Sequence, residues 1–174
     1  SSPTPIGKWR GGRSRLSLWN EECTSTAFMV IDLEVRRFLD LEAFEHGLHI
    51  TSFRLWSRAQ FKQPTGRWTP PLPALIDTGA PFSVLPATLW TSLDAHGGFT
   101  TSLRGLVPLR SAVLKARPAQ VTCLLSDPKT SAPSFRLWAL LADGDVPLVL
   151  GCAGFLDRAR LVLDAPRQRA SLEL

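Results

Sequence analysis

Asp77, Thr78 and Gly79 follow directly on the apolar run Ala74-Leu75-Ile76, so a carboxylate, a hydroxyl and a glycine stand in succession at the end of a strand-like segment. A carboxylate at the end of a buried strand can be held partly desolvated and still face a cleft, where it can take or give a proton. A glycine lets the backbone turn sharply and bring an N–H close to that carboxylate. The threonine hydroxyl can lock the loop onto a neighbouring backbone group. Such a platform offers general acid–base chemistry. Asp-Thr-Gly alone is also ordinary turn chemistry, so the weight lies in its surroundings: Ala80 just after it, then Ser83-Val84-Leu85-Pro86, and farther along Leu148-Val149-Leu150-Gly151.

Other constellations carry less. Ser83 has no Gly-x-Ser-x-Gly frame, and no glycine loop of the phosphate-binding type is present. Cys23, Cys123 and Cys152 are isolated from one another, which gives neither a CxxC pair nor an even disulfide framework and reads as reduced thiols. His46 and His49 form an i, i+3 pair, with His96 distant, but no cysteine or carboxylate spacing completes a zinc site, so no metal and no cofactor is expected. The six tryptophans, at positions 9, 19, 56, 68, 90 and 138, are too dispersed for a base-stacking platform and read as packing residues.

The elements that must position these residues are short and mostly extended. Strand patterns cover Thr24–Leu33, His49–Trp56, Trp68–Ile76, Leu106–Lys115, Gln120–Leu125, Phe135–Ala142, Leu161–Leu163 and Ala170–Leu174. Val146–Leu150 is a continuous apolar run broken by Gly151. Pro70, Pro71 and Pro73 cannot donate to a ladder, which confines regular pairing before the motif to Ala74–Ile76. Short helices are expected over Ala87–Ala95, behind Pro86, and over Ala153–Arg160. Asp143-Gly144 is the strongest tight-turn signal. Many short strands with few helices argue for a mainly β domain of the barrel or sandwich kind, since a parallel α/β fold would need longer helices between strands.

At 174 residues and 44% apolar, the chain can bury one sizeable core. Four of the five net positive charges come from Lys8, Arg10, Arg13 and Arg15, ahead of the first acidic residue, Glu21. A basic flexible extension, residues 1–23, thus precedes a nearly neutral domain, residues 24–174, and such a tail is ordinarily just solvated, so no nucleic-acid partner is expected. No apolar stretch approaches the roughly 20 residues of a membrane-spanning helix, and the first residues lack the apolar run of a secretory leader. With the odd number of cysteines, this favours a cytoplasmic location.

Taken together, Leu75-Ile76-Asp77-Thr78-Gly79-Ala80 and Pro147-Leu148-Val149-Leu150-Gly151, continuing through Phe155-Leu156-Asp157-Arg158 to Leu161-Val162-Leu163-Asp164, resemble the two signatures of the retropepsin-like aspartic proteases, in particular the single-domain bacterial forms. The resemblance spans roughly Leu48 to Leu174. It implies a half-barrel, mainly β, with one or two short helices. It implies that Asp77 is the catalytic carboxylate, that Thr78 grips the opposing loop across a dimer, that Gly79 donates its N–H to the carboxylate with Ala80 completing the loop, and that Leu148, Val149, Leu150 and Gly151 form a strand cradling that loop. A β-hairpin flap is expected between Gly98 and Arg117, with Gly105 as a candidate tip. The chain departs from the family in its proline-rich approach to the motif and in Cys152, where viral members commonly carry Arg. The absence of tyrosine excludes a flap tyrosine of the pepsin type.

A single Asp-Thr-Gly has a further consequence. Hydrolysing a peptide bond without a metal or a covalent intermediate requires one group to take a proton from water and another to give one to the carbonyl oxygen, which two carboxylates sharing a proton accomplish. A two-fold axis beside Asp77 would generate that pair from one copy per chain. Two like charges about 4 Å apart, at an effective dielectric near 20, repel by roughly 4 kcal/mol, so the pair holds one proton between them, as is general for aspartic-protease dyads. The expected entity is therefore a homodimeric aspartic endopeptidase acting on peptide or protein substrates. The competing reading is a catalytically silent retropepsin-like module that dimerises or binds extended peptides by strand addition.

Overall fold

A computed structural model describes residues 29–93, 95, 97–103 and 113–174. Ten strands form one sheet: β1 (Val30–Leu39), β2 (Thr51–Phe61), β3 (Leu72–Ile76), β4 (Ser83–Leu85), β5 (Thr101–Leu103), β6 (Leu114–Ser126), β7 (Phe135–Ala142), β8 (Val149–Leu150), β9 (Arg160–Asp164) and β10 (Arg169–Glu173). The helices are brief: α1 (Leu41–Glu45), α2 (Ala87–Trp90) and a 3₁₀ turn at Leu156–Arg158. The strand order is β5-β6-β7-β4-β8-β3-β2-β1-β10-β9, and an added β6–β2 pairing closes the six strands from β6 to β2 into a ring. A mainly β fold is what the strand-rich pattern predicts. No helix among the described residues is long and apolar enough to cross a membrane.

Inside the ring, alternate residues point at one core. Phe61, Leu85, Leu125, Leu137, Leu141, Leu150 and Phe155 are each less than 2% exposed, and the rings of Phe135 and Phe155 stack at 5.5 Å. Cys123 lies in this core, where burial pushes its thiol pKa up and leaves it protonated. β3 and β8 run parallel, with Leu75 opposite Val149 and Ile76 opposite Leu150. This pairing places the two halves of the sequence signature side by side.

Several expectations are corrected. The first described strand runs from Val30 to Leu39 rather than ending at Leu33, and β2 runs to Phe61 rather than Trp56. Both continue because their partners do: Glu34–Leu39 pair with Thr51–Trp56, and Arg58–Phe61 pair with Cys123–Ser126. Helix α1 was not expected, although Asp40 is a good N-cap, its Oδ1 accepting the Ala43 N–H at 3.0 Å. α2 stops at Trp90, and the region Ala153–Arg160 holds only the 3₁₀ turn. Within Val146–Leu150 only Val149 and Leu150 are strand.

Proline positions explain the remaining differences. β6 runs unbroken through Pro118, where the sequence suggested two strands. The Pro118 carbonyl accepts from the Gly98 N–H at 3.1 Å, so the side lacking an N–H faces away from β7 and no β6–β7 bond is lost. Likewise Leu75 N–H points at β8. The equivalent side of Pro73 therefore lies beyond the start of that pairing, and β3 can begin at Leu72 with Pro73 opposite Arg58. Residues 106–112 of the expected strand Leu106–Lys115, residues 24–28 of the first strand, and the basic extension 1–23 lie outside the described residues.

Candidate active site

β3 delivers Asp77 to the edge of the ring. The Leu75 N–H donates to the Leu148 carbonyl at 2.9 Å and the Asp77 N–H to the Leu150 carbonyl at 3.0 Å, so the ladder with the β8 segment persists up to the carboxylate. The chain then turns. The Gly79 N–H donates to Asp77 Oδ1 at 2.9 Å, and the Ala80 N–H lies 3.3 Å from the Asp77 carbonyl. One carboxylate oxygen is thus held by the loop's own backbone while the other has no hydrogen-bond donor among the described residues. A fixed rotamer with one oxygen free is what a proton-transfer group requires.

The loop is pinned from the other side by the segment after β8. The Cys152 N–H donates to the Ala80 carbonyl and the Ala153 N–H to the Pro81 carbonyl, both at 2.9 Å, and Cys152 Sγ lies 3.6 Å from the Thr78 carbonyl. Gly151 sits so close to the loop that a Cβ there would stand 2.5 Å from the Phe82 carbonyl oxygen and 2.6 Å from that of Ala80. Its N–H donates to Ser83 Oγ at 3.1 Å. Of the four residues expected to cradle the loop, Leu148 and Val149 pair with Leu75 on β3, Leu150 accepts from the Asp77 N–H, and Gly151 stands against the turn at Ala80 and Phe82.

Ser83 anchors the segment after β8, a link that sequence reasoning missed. It is fully buried, on β4, and its hydroxyl satisfies the one Gly151 donor that the crowded junction leaves over. A serine in a short strand carries no local signal for such a link, since its partner is distant in sequence. Ser83→Ala should leave that N–H unpaired in the core and lower stability by about 1–3 kcal/mol. Thermal unfolding checks this, and an unchanged midpoint would show the bond to be dispensable.

Asp77, Thr78 and Gly79 are exposed in the single chain, so the partial desolvation expected of the carboxylate is not supplied by its own fold. Asp77 and Thr78 open onto a groove of about 550 Å³ whose walls include Phe53, Leu75, Val149, Leu161 and Leu163. β5 and β6 form an antiparallel hairpin, Thr101 opposite Ala116 and Leu103 opposite Leu114, in the interval where a flap is expected. The base of the hairpin is braced by Arg117, which lies over the Trp90 ring at 4.9 Å and 3.3 Å from Asp143. The tip, including Gly105, lies outside the described residues. Among the described residues, no group of three or more His, Cys, Asp or Glu side chains could hold a metal ion.

No family model matches the chain, and no curated protein matches it. Among solved structures, it is similar to a retropepsin-like aspartic protease from Rickettsia conorii, with 15% identity, a TM-score of 0.41, and 83% of this chain and 93% of that one covered. It is also similar to the EIAV protease in complex with the inhibitor HBY-793, with 24% identity, a TM-score of 0.37, and 63% of this chain and 93% of that one covered.

Proposed function

We propose that the chain is an aspartic endopeptidase that works as a homodimer, the Asp77 carboxylate of each copy supplying half of the catalytic pair. The observation that carries this reading is the Asp77 loop itself. A carboxylate at a strand end has one oxygen fixed by the Gly79 N–H, the other oxygen free, and its backbone clamped by Leu148–Gly151.

In this reading, one Asp77 of the pair is ionised and takes a proton from water as that water attacks the scissile carbonyl. The other is protonated and gives its proton to the carbonyl oxygen. The Gly79 N–H holds each carboxylate in place, Thr78 contacts the partner loop, and Ala80 supports the loop by packing against the Val84 cluster. The β5–β6 hairpin closes over an extended peptide. A second copy would also cover the exposed face of Asp77 and provide the desolvation that the single chain lacks.

One measurement bears on both halves of the claim. Specific activity on a mixed peptide library between pH 4 and 7 should fall on dilution in step with the dimer fraction from sedimentation, because a lone chain has one carboxylate. Hydrolysis per chain that stays constant while the protein is monomeric would sink the paired-carboxylate mechanism.

A further inference from the structure

Alternation and register gather three arginines on one face of the β1–β2 pair. Leu33, Leu55 and Ser57 are buried, so Glu34, Arg36 and Phe38 of β1 share the outer face with Arg54, Trp56 and Arg58 of β2. Among these residues Glu34 is the one acid, and its two oxygens already accept from Arg36 at 2.8 and 3.0 Å. Arg54 stands directly opposite Arg36, an arrangement of like charges that destabilises a strand pair. It lies over the Phe38 ring at 5.1 Å, but no ion pair joins it to any described residue.

This cation belongs to the surroundings of Asp77. The β2–β3 pairing ends at Leu55 opposite Ile76, so Arg54 and Asp77 are the next residue on each strand, and both are exposed. Both line the groove of about 550 Å³, where Arg54 is the one basic residue, Asp77 the one acid, and the remaining walls are apolar apart from Thr78.

We infer that Arg54 recognises a carboxylate on the peptide that lies in this groove. The inference rests on the aspartic endopeptidase reading and gives its substrate a chemical feature. A guanidinium offers a planar fork of donors that matches a carboxylate with two parallel hydrogen bonds, and an anion there would also offset the opposition of Arg54 and Arg36. The Phe38 ring that Arg54 covers is on β1, two strands from β3. At about 4.8 Å per strand that is roughly 10 Å from the line of Asp77, or about three residues of extended peptide. The carboxylate recognised is an acidic side chain at that distance from the scissile bond or the end of a peptide that stops there.

Fluorogenic peptides of one sequence, carrying Glu, Gln or Lys at each position in turn and ending in a free carboxylate or an amide, test this on wild type, Arg54→Gln and Arg54→Glu. For wild type, kcat/KM should be about tenfold higher with Glu than with Gln at the responsive position, the low end for a hydrogen-bonded charge because Arg54 is exposed. The ratio should shrink at high salt, fall to about one in Arg54→Gln and turn in favour of Lys in Arg54→Glu. A chain-end carboxylate as the target shows instead as a preference for the free acid over the amide, with the same response to the variants. Arg54→Gln should melt no lower than wild type, since it removes a like charge from opposite Arg36, and this separates recognition from a structural role. Glu-to-Gln and acid-to-amide ratios that are the same in all three proteins overturn the inference while the peptidase reading stands. If wild type cleaves none of the peptides, the peptidase reading falls, and binding of the same peptides, fluorescently labelled, to wild type and Arg54→Glu decides. Equal affinity for Glu and Lys peptides in both proteins then removes carboxylate recognition as well.

Discussion

Asp77→Asn should lower kcat/KM for an extended peptide by about a thousandfold or more, at the upper end of what one acid–base group contributes, with fold and dimerisation unchanged. The substitution is close to isosteric. The amide oxygen of asparagine can still accept the Gly79 N–H that Asp77 Oδ1 accepts at 2.9 Å, and the ladder bonds from Leu75 and Asp77 to the Leu148 and Leu150 carbonyls are made by backbone. The side chain is exposed in the single chain, so the change in stability should stay within about 0.5 kcal/mol. Only the capacity to carry a proton between water and the peptide is lost.

Mixed dimers sharpen the result. If each copy supplies one carboxylate, as proposed, a dimer in which one copy carries Asp77→Asn has no pair. Equal amounts of wild-type and variant chain, allowed to exchange, should retain about a quarter of the activity of an all-wild-type sample, the statistical share of wild-type pairs in a two-fold assembly. Retention of about half would mean that each chain acts alone. Full retention by the pure variant would mean that Asp77 belongs to a turn and the chemistry lies elsewhere.

What could be read from sequence follows from the range of the interactions involved. β7 was legible at both ends, Phe135 and Ala142, because Pro133 and Asp143-Gly144 punctuate a segment of even apolar content. The Asp77–Gly79 contact was legible because it spans two residues. β6 was not, since whether Pro118 breaks a strand depends on which side its missing N–H would face, and that is decided by Gly98. The Gly151–Ser83 bond joins residues that share no local pattern. The exposure of the β1–α1–β2 hairpin was unreadable for a different reason: Phe38, Leu41, Phe44 and Phe53 look like core by type, and a pattern of residue types does not say whether anything packs against them.

Gly151→Ala should be strongly damaging for a single added methyl, and its effect should reach Asp77. The added carbon would stand 2.5 Å from the Phe82 carbonyl oxygen, 2.6 Å from that of Ala80 and 2.6 Å from the Phe82 carbonyl carbon. All three are backbone atoms of the chain leaving the Asp77 loop, so no flexible side chain can yield. Either the loop moves outward or β8 moves back. Outward movement would strain the Cys152-to-Ala80 and Ala153-to-Pro81 bonds, and retreat of β8 would strain the pairing that places Asp77. Overpacking of this kind typically costs about 1–3 kcal/mol, occasionally more, which for a domain of this size corresponds to a fall in Tm of roughly 2–12 °C. Activity should fall further than stability explains, because a shift of about 1 Å at a reacting group can cost a hundredfold. Gly98→Ala is the control, since a Cβ at Gly98 would meet nothing within 4 Å and its φ is not left-handed. Melting and peptide cleavage of the two variants should diverge sharply; if Gly151→Ala behaves like Gly98→Ala in both, the segment after β8 does not set the position of Asp77.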